Sequence, residues 1–146
     1  MTRTRSSLAW TGYAAFAWAA AYAIGVRGYG LRLPRRLVIV PALIGSAYAV
    51  AHALTAYVTK PLDAFGVVHL RFDGWAARDQ TAQFLWDLLF YEPWFLGFGV
   101  LVGLATLHHH LRTGGSARAG RRLMAITALG ALAITAYACA VVVARG

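Results

Sequence analysis

Apolar residues fall in long unbroken runs along this chain, not in the alternating or half-polar patterns of soluble elements. Four runs stand out, at residues 8–26, 37–58, 84–107 and 123–144. A bilayer core of about 30 Å takes roughly 20 helical residues at 1.5 Å each, so each run is about long enough to cross it. The pattern predicts an all-α protein, an integral membrane four-helix up-and-down bundle in a single domain, 1–146, with an outer loop at 59–80. The first run follows Arg3 and Arg5, as a signal peptide would, but it is long for an h-region of about 7–15 residues. It continues through Trp10, Tyr13, Trp18 and Tyr22 into an Arg-rich segment and reads as a retained helix.

Composition supports the spans. Of 146 residues, 60% are hydrophobic and 13% charged, about half the usual charged fraction of a soluble domain. Disorder requires low hydrophobicity and is excluded. The single cysteine, Cys139, rules out an internal disulfide and a Cys-based zinc site, and inside the fourth run it reads as a small buried hydrophobe. The net charge of +9 first suggests nucleic acid, but its placement argues against that partner. Arg27, Arg32, Arg35 and Arg36 form one cluster between runs, and Arg112, Arg118, Arg121 and Arg122 form another, neither with an acid. These are membrane-flanking loops, so the first partner is a lipid bilayer. On the other side lie Arg3, Arg5, Lys60, Arg71, Arg78 and Arg145, three of them diluted among Asp63, Asp73 and Asp79. The density contrast predicts cytoplasmic Arg-rich loops and both termini outside, in a bacterial plasma membrane.

Polar groups inside the runs are the candidate chemistry. From Pro93 to Leu107 a helix spans only about 22 Å, so the third run must draw on residues before Pro93 to cross the core. That puts Glu92 below the bilayer surface, where an ionisable side chain must face protein or water. In the second run Gly45, Tyr48, His52, Thr55 and Thr59 recur at steps of three and four, a stripe expected to face the bundle interior. In the third, Glu92, Gly99, Gly103 and Thr106 share a face, with Gly99 and Gly103 spaced for close helix approach. Antiparallel packing of these faces would bring His52 near Glu92. Asp87, with Gln83 and Tyr91 one turn to either side, is the next candidate for the same polar pocket. Two readings stay open: a His–Glu lock between helices, or a site for a small molecule, a proton or an ion.

Other signals are weaker. Residues 73–78 match the D-G-x-x-A-R opening of the CDP-alcohol phosphotransferase signature, but the carboxylates that must follow to hold two metals fall at Tyr91 and Phe95. His108, His109 and His110 are successive and cannot converge on one ion from a helix; they suit the negative dipole end of the third run. No lysine lies within a run, which excludes a retinal Schiff base, and His52 has no partner for bis-His haem. No cofactor is implied.

The segment Tyr91-Glu92-Pro93-Trp94-Phe95-Leu96-Gly97-Phe98-Gly99 resembles a P-W-F-L-x-G-G-like signature of small four-span actinobacterial membrane proteins classed as a domain of unknown function. Residues 25–30, with Arg27 and Tyr29, look like that family's segment after its first helix. The resemblance implies a four-span fold and no activity. The expected function is a non-enzymatic membrane protein, either an accessory subunit with a membrane partner or second copy, or a small-ligand binder with an outward-facing pocket around Glu92 and His52. The competing class is a small transporter or membrane enzyme using the same pair. The topology is testable by C-terminal fusions: alkaline phosphatase should be active and green fluorescent protein dark. Bright cytoplasmic fluorescence would invert the orientation.

Overall fold

The computed structural model of the chain describes residues 34–68, 70 and 77–145. From Ile39 onward they belong to one compact unit. The elements are α1 (Arg35–Ala64), α2 (Ala77–Trp86), a π turn (Asp87–Tyr91), α3 (Glu92–Arg112) and α4 (Ala117–Arg145). Among the described residues the fold is all-helical. Three helical stretches, Arg35–Ala64, Ala82–Arg112 and Ala117–Ala144, are long and apolar enough to cross a membrane. They correspond to the second, third and fourth predicted runs; the run at 8–26 lies outside the described residues.

Helix ends follow local chemistry. Pro61 does not stop α1; so near the C-terminal end it removes one backbone hydrogen bond and the helix runs on to Ala64. The predicted loop from residue 59 is therefore shorter than expected, and Lys60 sits in a helix. Gly66, at φ +71°, ends α1: its N–H donates to Asp63 O and the Val67 N–H to Leu62 O, a Schellman closure that needs the left-handed conformation. Gly114, at φ +82°, ends α3 in the same way, with the Gly115 N–H on His110 O. Two residues later Ser116 caps α4, its Oγ accepting from the Ala119 N–H. Gly114, Gly115 and Ser116 are thus a stop and a start signal for a tight helical hairpin. In the segment 67–72, the described residues form no strand, and the Leu70 N–H donates to Asp63 Oδ1.

The helices meet through small residues. α1 buries Ser46, Ala47, Ala49, Ala51, Ala53 and Ala56. Ser46 Oγ donates to Gly99 O of α3 at 2.7 Å. A Cβ on Gly99 would lie 2.8 Å from Val50 Cγ2 and 3.0 Å from Ser46 O; one on Gly103 would lie 2.9 Å from Ser46 Oγ. The pairing of 46 with 99–103, and of 60 with 87–92, makes α1 and α3 antiparallel. α4 packs Ala131 on Ala47 and Ala51, and its Gly120 lies against Leu107 of α3. Large side chains point the other way: Ile44, Trp94, Leu101, Ile126, Leu129 and Leu132 are all exposed. Of the most apolar stretch of α4 only 6% is buried. Water would not tolerate that surface, whereas lipid leaves van der Waals packing of small residues as the main force between helices.

The predicted polar stripe of α1 is only partly buried: Thr59 is buried and Thr55 half-buried, but its first three members are not. Gly45 and Tyr48 are exposed, and nothing lies within 4 Å of a Cβ built on Gly45. Its place in the helix contact is taken by the next residue, Ser46, because an Ala-rich helix is buried by size, not polarity. Gly99→Leu should therefore cost about 1–3 kcal/mol through overpacking, seen as a lower melting temperature in mild detergent. Gly45→Leu should leave the melt unchanged. Equal effects of the two would contradict this packing.

Candidate functional site

At the α1 C-terminal end the small-residue contact gives way to long polar side chains. His52, Ala56 and Lys60 follow at steps of four and lie along one face of α1. Opposite them are Asp87 and Glu92. Five residues apart, these two would stand roughly 140° apart around an α-helix. The intervening π turn changes that. The Glu92 N–H donates to Asp87 O, an i→i+5 bond that brings the fifth residue back over the first. Pro93, in the first turn of α3, is the local cause: it has no N–H and its ring crowds the carbonyl four residues earlier, so the regular ladder is broken there.

Lys60 closes the site. Its Nζ donates to Glu92 Oε1 at 2.8 Å and to Asp87 Oδ2 at 3.1 Å. Asp87 Oδ1 accepts from Gln83 Nε2 at 2.8 Å, so both its oxygens are bonded. Glu92 is only 3% exposed. Its second oxygen, Oε2, accepts no hydrogen bond among the described residues; His52 Nε2 lies 3.7 Å away. The His52 ring is tilted against Phe95 at 4.7 Å between centroids and stacks near Tyr48 at 6.3 Å. Its side chain is 45% exposed.

These groups line a cavity of about 670 Å³. α1 contributes Tyr48, His52, Thr55 and Lys60, the π turn and flanking helices contribute Asp87, Tyr91, Glu92 and Phe95, and α4 adds Ile134 and Ala138. Thr55 lines the cavity, but its hydroxyl donates to Ala51 O, and that of Thr59 to Thr55 O, so both protons stay on their own helix. Gly99 and Gly103, on the same buried face of α3 as Glu92, serve the α1 contact further along. Of the sequence candidates, His52, Glu92, Asp87, Tyr48 and Thr55 are brought to one cavity, and Gly45 is not.

Lys60 is the residue sequence reasoning missed. The predicted outer loop at 59–80 takes in Lys60, which the structure places in α1. The signal was available: Lys60 is the only lysine of the chain and lies eight residues beyond His52, on the same helical face. The histidines of 108–110 do not converge: His110 is buried beside Gly120 and His108 is exposed. Among the described residues no group of three His, Cys, Asp or Glu is placed to hold a metal.

Comparison with known proteins finds no match, whether to a family model, a curated protein or a solved structure.

Removing Lys60 leaves two carboxylates facing each other, one of them buried. Lys60→Met should destabilise the protein by about 3 kcal/mol, the scale for breaking a buried pair from one side. Adding Glu92→Gln should recover part of that loss, because the stranded charge goes with it. Thermal melts in detergent of the single and double variants measure the coupling. Additive losses would show that Lys60 and Glu92 do not interact.

Proposed function

We propose that this chain is a four-span protein of a bacterial plasma membrane whose function is to bind a small ligand in an outward-facing polar pocket. The observation that carries this reading is the cavity of about 670 Å³ with the Lys60–Glu92–Asp87 cluster in its wall. A structural lock between helices needs no room beside it. Pockets of about 300–1,000 Å³ are the range for small ligands. Depth supports access from one side. Glu92 is twenty residues from Arg112, about 30 Å along a helix, so with Arg112 at one face of the bilayer Glu92 stands at the other edge of the hydrocarbon core. The Arg-rich α3–α4 turn marks the cytoplasmic face by the positive-inside rule, which turns the cavity outward.

The competing reading, a small transporter using Glu92 and His52, calls for a polar path through the bundle. Beyond the cavity the α1–α3 contact narrows to Gly99 and Gly103 pressed on Ser46 and Val50. Binding without translocation fits that close α1–α3 contact better.

Access is tested by cysteine labelling in intact cells, in a Cys139→Ala background. Ala138→Cys, on the cavity wall, should react with a membrane-impermeant thiol reagent about tenfold faster than Ser46→Cys, which is buried between helices. Equal protection of both positions would sink the outward-facing pocket.

A further inference from the structure

The polar groups of the pocket are unevenly matched. One ammonium, Lys60, faces two carboxylates, so among the described residues of the wall carboxylates outnumber the ammonium. Asp87 is fully bonded, by Lys60 and Gln83. Glu92 is half bonded: Oε1 accepts from Lys60, and Oε2, buried, accepts from nothing among the described residues. A buried acceptor left unmade costs about 1–3 kcal/mol, more for a charged group. The group over it is the half-exposed His52 ring, at 3.7 Å and held by ring contacts, with no hydrogen bond of its own among the described residues. Around it stand Tyr48, Tyr91 and Phe95, with Ile134 and Ala138 opposite.

Resting on the ligand-binding reading above, we propose that the pocket takes a molecule bearing an ammonium group on an apolar body, with Glu92 Oε2 as its counter-charge. The ammonium displaces the His52 ring and donates to Oε2, which makes the missing hydrogen bond a charge-assisted one. Aromatic faces attract a cation and also cover an apolar body. An anion is disfavoured, because two of the three Lys60 N–H groups already go to carboxylates, which outnumber the ammonium among the described residues of the wall. A neutral ligand gains the apolar contacts but leaves the excess carboxylate unanswered. The ammonium can come from a free amine or from a lipid headgroup, since the pocket stands at the edge of the bilayer core.

The test uses the full chain in a neutral maltoside detergent, with binding followed by calorimetry. The probes are phenethylamine, 2-phenylethanol and 3-phenylpropanoate, which share one apolar body and differ in charge. Phenethylamine should bind at least about tenfold tighter than the alcohol, with the carboxylate weakest, a factor of ten being the scale of one charge-assisted bond. Glu92→Gln should erase that preference. Should this variant fail to fold, Tyr48→Ala, at an exposed position, should weaken the amine about threefold or more while leaving the melt unchanged. Competition by a short-chain phosphatidylethanolamine, with none by phosphatidylglycerol, identifies the lipid source; no competition by either identifies a free amine. Equal binding of amine and alcohol, or no binding of any probe to a protein whose Ala138→Cys is reactive, overturns the ammonium proposal and leaves the open pocket standing. An unreactive Ala138→Cys removes the pocket itself.

Discussion

The arrangement of the described helices depends on one lysine held between two carboxylates. Lys60, Asp87 and Glu92 are costly to place in a medium of low dielectric, and each is tolerable only because the others are there. The cluster also sets the register of the helices. α1 and α3 are joined at Ser46–Gly99 and again at Lys60–Glu92, contacts about 21 Å apart along α1. The first contact is steric, through glycines that leave no room for a Cβ, with one hydrogen bond; the second is charged. Together they define which residues of α1 face α3.

The cluster needs a break in regular helix geometry. An undistorted helix would carry Asp87 and Glu92 to different faces, and Lys60 would satisfy one of them only. The π turn costs regular hydrogen bonding, and Pro93 forfeits one of those bonds in any case. Placing the irregularity beside the proline therefore adds little to a cost already present. It gains a second carboxylate partner for the lysine. The same distortion turns Tyr91 toward the cavity, so the aromatic and the charged parts of the wall share one cause.

How far the sequence could be read differs between fold and site. Long apolar runs announce helices of the right length, because lipid demands length and hydrophobicity alone. Gly99 and Gly103 are readable as a contact face, since glycine at that spacing has few other uses in a membrane helix. The face of α1 that meets them is not readable, because Ala surrounds that helix and polarity misleads. Tyr48 and His52 are polar yet line the cavity, while most of the buried positions are Ala, with Ser46 and Thr59 as the polar ones. Depth alone pointed to Glu92. Its partner Lys60 falls in the predicted outer loop at 59–80 and reaches the site only because α1 runs on past Pro61; Asp87 is legible as a pocket candidate, but a spacing of five, which belongs to neither the helix nor the strand period, does not show that it shares Lys60 with Glu92.

The two ends of the α1–α3 interface show why the cavity lies where it does. At Ser46, Gly99 and Gly103 the helix backbones approach so closely that a single added methyl would collide, and nothing can enter. Toward Lys60 the glycines are replaced by Phe95, Glu92 and the π turn, and side chains must fill the space between the helices. Side chains that pair with one another do not fill it completely, and about 670 Å³ remains. A bundle built wholly of small residues would be stable and featureless. The charged cluster sacrifices close packing at one end, and the room it leaves is bounded by a carboxylate that its lysine only half neutralises. A buried charge kept half paired is the costliest part of this design, and binding a cation there would offset that cost.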